Sequence, residues 1–89
     1  MKVVLSRHVL VEKIPLIKSL GFVISESQIE IIVKKPKWRG VTDSGQPTAM
    51  GLINGEHILR AVLKIKNGII TVITVHIARR GRYESTKED

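Results

Sequence analysis

Apolar residues recur at helical spacing up to Pro36 and with strand-like alternation after it. Lys2–Leu5 is a short apolar run that fits an opening strand. Ser6 is placed to cap a helix beginning near Arg7, whose apolar positions are Val9, Leu10, Ile14, Ile17 and Leu20. Gly21 stops it. Pro15 lacks a backbone donor, so a kink or a split near Glu12 is expected, with Leu16–Leu20 forming a last turn. Ser25-Glu-Ser-Gln28 and Ser27-Gln-Ile-Glu30 both fit a capping box for a second helix. Ile29, Ile32 and Val33 are its apolar stripe, Lys34 and Lys35 suit its C-terminal dipole, and Pro36 ends it.

Beyond Pro36 the pattern predicts an antiparallel meander. Trp38–Thr42 is a strand, Asp43-Ser-Gly-Gln46 a turn, and Ala49–Ile53 a second strand. Asn54-Gly55 signals a hairpin into a long strand, Glu56–Ile65. Lys66-Asn67-Gly68 signals another, leading to Ile69–Ala78. The expected fold class is α+β, with two N-terminal helices on one face of a roughly four-stranded antiparallel sheet. Residues 1–84 form a single domain in this reading, and 85–89 a polar, mobile tail.

Composition adds charge to this picture. Fifteen Lys and Arg against eight Asp and Glu give the 89 residues a formal net charge of +7, and the sequence pI is about 10.2. Such a surplus on a small domain favours a polyanionic partner, nucleic acid first, with an acidic partner protein as the plainer alternative. The chain has no cysteine, which excludes disulfides and thiolate metal sites. Its three histidines are scattered without ligand spacing, so no metal and no cofactor is expected. No P-loop, dinucleotide-binding glycine pattern or nucleophile elbow is present. Lacking a signal-peptide core or a bilayer-length apolar run, the sequence reads as cytoplasmic and not membrane-bound.

The candidate chemistry gathers at the end of the last strand, where His76 is followed by Arg79, Arg80, Arg82 and Tyr83. Arginines bind phosphate oxygens, and His or Tyr can move protons. On the long strand, His57, Leu59, Ala61, Leu63 and Ile65 share the side that reads as core; Ile58, Arg60, Val62 and Lys64 share the other. What Arg60 meets depends on the hairpin. A three-residue loop, Lys66 to Gly68, pairs Ile65 with Ile69 and Arg60 with Thr74, and puts His76 on the Arg60 face. A two-residue Asn67-Gly68 loop pairs Lys66 with Ile69 and flips His76 to the Leu59 face. The first is favoured here because it keeps Ile69, Ile73, Val75 and Ile77 on the core side. His8, beside Arg7 at a helix start, is a further candidate, since a cation there opposes the dipole. Lys34, Lys35, Lys37 and Arg39 form a basic run that suits a phosphate backbone. Trp38 within it can stack on a base or close the core, and the second is preferred.

Several features together resemble a known family: Ser6-Arg7-His8 at a helix start, Gly21, a second helix ending at Pro36, Gly51, the strand Leu59-Arg60-Ala-Val62, the strand Gly68-Ile-Ile-Thr-Val-Ile-Thr74, and the basic end. In this order they resemble small RelE/ParE-like toxins, closest to a BrnT-related prokaryotic domain of unknown function. The resemblance spans roughly Lys2 to Tyr83. It implies helices packed on an antiparallel sheet and a toxin role in a toxin–antitoxin pair, with messenger RNA cleaved without metal. Arg60 matches the family's strand arginine and His8 its helix-start histidine; the terminal arginines and Tyr83 match in character. The expected catalytic set is Arg60, His76, Arg79, Tyr83 and His8; Lys34, Lys35, Lys37, Arg39, Arg80 and Arg82 are expected to hold RNA. An acidic antitoxin, the ribosome and a second copy of the chain are the other partners this leaves open. Two alternatives stay open beside the endonuclease: a non-catalytic nucleic-acid binder, and a toxin relative that mainly docks an acidic partner through an exposed strand edge such as Trp38–Thr42.

Overall fold

The computed structural model describes residues 1–81; Arg82, Tyr83 and the expected tail 85–89 lie outside the described residues. Its elements are β1 (Lys2–Leu5), a π-helical turn (Val9–Lys13) running into α1 (Ile14–Ser19), α2 (Glu26–Lys34), β2 (Trp38–Val41), β3 (Pro47–Leu52), β4 (His57–Lys66) and β5 (Ile69–Arg79). The class is α+β as expected, but the sheet has five strands in the order β1-β5-β4-β3-β2. The four antiparallel strands are joined by β1, which pairs parallel to β5 with Lys2 beside Ile69 and Leu5 beside Val72. The sheet is therefore mixed. The helices carry the chain from β1 at one edge of the sheet to β2 at the other, and the antiparallel strands β2–β4 bring it back to β5 beside β1.

Pro15 is accommodated rather than disruptive. The Ile14 N–H bonds to the Val9 carbonyl, one residue beyond the α-helical spacing. This widened turn sits immediately before the proline, where an α-helical ladder would need the donor that Pro15 lacks. The helical path continues to Leu20. There, the Gly21 N–H bonds to Lys18 O at 3.0 Å and the Phe22 N–H to Ile17 O at 3.4 Å. Gly21 has φ +95°, so this is a Schellman cap in which glycine supplies the left-handed residue. Ser25 caps α2, its Oγ accepting the Gln28 N–H at 3.2 Å.

One face of the sheet carries the core. Val9, Ile14 and Ile17 from the first helical segment and Ile29, Ile32 and Val33 from α2 pack on Ala49, Leu59, Ala61, Leu63, Val72 and Val75. α2 packs tightly on Gly51: a Cβ there would lie 2.9 Å from Ile32 Cγ1. Strand alternation puts Trp38, Met50, Arg60 and His76 on the opposite face. That face is not simply wet. Met50, Ile58, Val62 and Thr48 are buried on it, and Thr48 Oγ1 has no hydrogen-bond partner.

The β4–β5 hairpin corrects the expected register. Lys66 pairs with Ile69, so the loop has two residues. Asn67 has φ +52° and Gly68 φ +76°, the left-handed pair of a type I′ turn. Ile69 is exposed and Ile70 faces the core instead. The register then shifts at Val62/Leu63: Leu63 pairs with Val72 but Val62 with Thr74, leaving Ile73 as a bulge. The extra residue reverses the alternation of everything after it. Val75 and Ile77 return to the core side, Ile73 does not join the core, and His76 comes to the Arg60 face.

Candidate nucleic-acid interface

The bulge is held from outside the hairpin. Ser6 Oγ donates to the Ile73 carbonyl at 3.0 Å and accepts the Val9 N–H at 3.2 Å. The Ser6 N–H also bonds to Val72 O at 3.0 Å. One serine therefore caps the first helical turn, as the sequence predicts, and occupies the carbonyl of the residue displaced from the ladder. A bulge leaves such a carbonyl without its cross-strand donor, so an outside donor is required.

Above the bulge, Arg60 lies directly opposite His76. The expected partner of Arg60, Thr74, pairs with Val62 instead. The same row continues through Met50 on β3 to Trp38 on β2. Four adjacent strands thus present Trp38, Met50, Arg60 and His76 side by side. Met50 is 1% exposed, and Trp38, Arg60 and His76 are half-buried. A cation on a sheltered apolar floor attracts an anion more strongly than one fully in water. The guanidinium can donate two parallel hydrogen bonds to a phosphate, and the imidazole beside it can donate or accept a proton.

Trp38 does not close the core. Its neighbour Arg39 pairs with Ala49, a core residue, so Trp38 is turned to the other face. The Lys37 N–H bonds to Met50 O at 2.9 Å, anchoring the start of β2. Lys37 Nζ stands 5.2 Å from the Trp38 ring centroid, within cation–π range. β2 is an edge strand, as the partner-docking alternative requires, and β1 is the other edge.

The remaining candidates disperse. Arg79 pairs with His57, on the helix-bearing side, where the His57 ring packs edge-on against Phe22 at 4.8 Å. It therefore faces away from Arg60 and His76, because the alternation that brings His76 out turns Arg79 in. His8 lies in the helical layer with Nδ1 3.5 Å from Glu12 Oε1, an exposed pair of small energetic weight. Lys34 and Arg39 line a shallow cleft on the helix-bearing side with Val33, Leu63, Ile65, Ile70 and Met1. Lys35 is exposed at the end of α2. Arg80 follows β5, its N–H bonding to Glu56 O at 2.7 Å. Tyr83 and Arg82 lie outside the described residues. The sequence reading offered Trp38 as a base-stacking residue but preferred it in the core, because the alternation Trp38–Arg39 could not say which residue faced the helices.

No family model matches the chain, and neither the curated proteins nor the solved structures searched include a match. No helix among the described residues is long and apolar enough to cross a membrane.

Proposed function

We propose that the chain binds RNA on the face of its sheet opposite α1 and α2 and acts there as a RelE-like, metal-independent endonuclease. The observation that carries this reading is the direct cross-strand pairing of Arg60 with His76. The net charge of +7 supports a polyanionic ligand. In the proposed reaction the RNA 2′-oxygen bonds to the adjacent phosphorus and the bond from phosphorus to the 5′-oxygen breaks. The products are a 2′,3′-cyclic phosphate and a 5′-hydroxyl. Arg60 neutralises the charge that builds on the pentacoordinate phosphate. His76 takes the 2′-hydroxyl proton or returns one to the leaving 5′-oxygen.

Among the described residues of the row, His76 is the one group suited to proton transfer, whereas cleavage uses both an acid and a base. This favours a second reading: binding without cleavage. An acidic antitoxin and the ribosome belong to this proposal as partners, and the cytoplasm as its compartment.

The test is cleavage of an end-labelled RNA in EDTA, with and without ribosomes, by the wild type and by Arg60→Ala and His76→Ala. The endonuclease reading expects cleavage lost in both variants. Cleavage that persists in both would sink the assignments, and salt-sensitive binding with no product would leave the second reading.

A further inference from the structure

We infer that Trp38, with Lys37 over its ring, is a base-stacking subsite for single-stranded RNA crossing the strands toward Arg60. The inference rests on the RNA-binding reading above and names where the ligand's base goes. Three observations carry it. Trp38 lies outside the core cluster and in register with Met50, Arg60 and His76. The Lys37 ammonium stands 5.2 Å from the ring centroid, an exposed positive charge that can give way to a stacked base and turn to that nucleotide's phosphate. The Lys37 N–H to Met50 O bond holds the start of β2 on β3, so the backbone that carries Trp38 is set before any ligand arrives.

Spacing makes one ligand sufficient. Adjacent strands lie roughly 4.8 Å apart, so Trp38 and Arg60, two steps from each other, are about 10 Å apart at the backbone. A few nucleotides of extended chain can place a base on the first and a phosphate on the second. A base inside a duplex offers no free face to an aromatic ring, so the subsite selects single strands.

Trp38 is the one tryptophan of the chain, so its fluorescence reports the subsite alone. The experiment titrates the protein with a short 2′-O-methyl oligoadenylate, which lacks the attacking hydroxyl and stays intact. An abasic strand with the same number of phosphates is the comparison. The oligoadenylate is expected to change Trp38 emission, and the abasic strand to bind more weakly with little change. Trp38→Leu keeps apolar bulk without a ring and is expected to weaken oligoadenylate binding by roughly 5- to 150-fold, while Trp38→Phe restores most of it. Folding of each variant is checked by circular dichroism, and the wild-type emission change needs no variant. Binding that depends on Arg60 but leaves Trp38 emission and the Trp38→Leu affinity unchanged overturns this inference alone. No binding of either strand overturns it together with the RNA reading.

Discussion

Replacing Ser6 with alanine removes a single oxygen that serves two backbone groups. Ser6 Oγ donates to Ile73 O and accepts from Val9 N–H, while the Ser6 main-chain bond to Val72 O survives the change. Each hydrogen bond is worth about 1 kcal/mol net, and loss of a helix N-cap costs a similar amount. Ser6 is half-buried, so water replaces part of what is lost, leaving an expected destabilisation of about 1–2 kcal/mol. For a domain of this size that corresponds to a fall in Tm of roughly 4–15 °C. The assay is thermal and urea unfolding by circular dichroism, with Ser6→Thr as the control that keeps the hydroxyl. Amide hydrogen exchange supplies the second readout: protection should fall most around residues 72–76, where the bulge sets the register. A Tm within about 2 °C of wild type, or a loss of protection spread evenly over the sheet, would refute the claim that Ser6 clasps the bulge.

Gly51→Ala should destabilise by about 1–3 kcal/mol, because its Cβ would meet Ile32 Cγ1 at 2.9 Å. Urea unfolding of the Gly51→Ala/Ile32→Ala cycle should show less than additive loss. Gly21→Ala meets nothing within 4 Å, so its expected cost of about 1–2 kcal/mol is backbone strain at positive φ alone; equal stability of the two proteins would contradict this. Thr48→Val should leave stability unchanged or raise it, since Thr48 Oγ1 is buried without a partner. A clear fall in the urea midpoint would show that the hydroxyl is satisfied. Asn54→Ala should cost about 1 kcal/mol, because Asn54 Oδ1 accepts from both Glu56 N–H and His57 N–H at 2.8 Å, and the loss should show as a lower Tm.

What the sequence made legible was local. Ser25 before an apolar stripe predicted a cap that the structure contains, because a side-chain oxygen three residues from a free N–H needs no tertiary information. Ile29, Ile32 and Val33 were legible as core for the same reason: 3.6-residue periodicity fixes a face. Three features were not legible. The four residues of β1 carry no record of the strand they join, since parallel pairing across the helices is a tertiary choice. Ile73 is one β-branched residue in a run of them, with no glycine or asparagine to mark a bulge. Pairing energetics along Ile69–Ala78 are nearly indifferent to a one-residue slip, and an outside donor, Ser6, is needed to fix it. His76 was expected on the Arg60 face through a three-residue loop. It is there through a two-residue loop and a bulge, two changes of register that combine to the same facing. Trp38 was misplaced because an aromatic in an Ile- and Val-rich chain reads as core, whereas its facing is set by Arg39 against Ala49.

The most direct test of the central claim, that Arg60 and His76 form one phosphate site, is a double-mutant cycle on RNA affinity. The dissociation constant of a short single-stranded 2′-O-methyl RNA is measured at low salt for the wild type, Arg60→Ala, His76→Ala and the double variant. The account predicts weaker binding in both single variants and a double variant less impaired than their sum, with a coupling of about 0.5–3 kcal/mol. Losses that add to within about 0.5 kcal/mol, or affinity unchanged in either single variant, would contradict it.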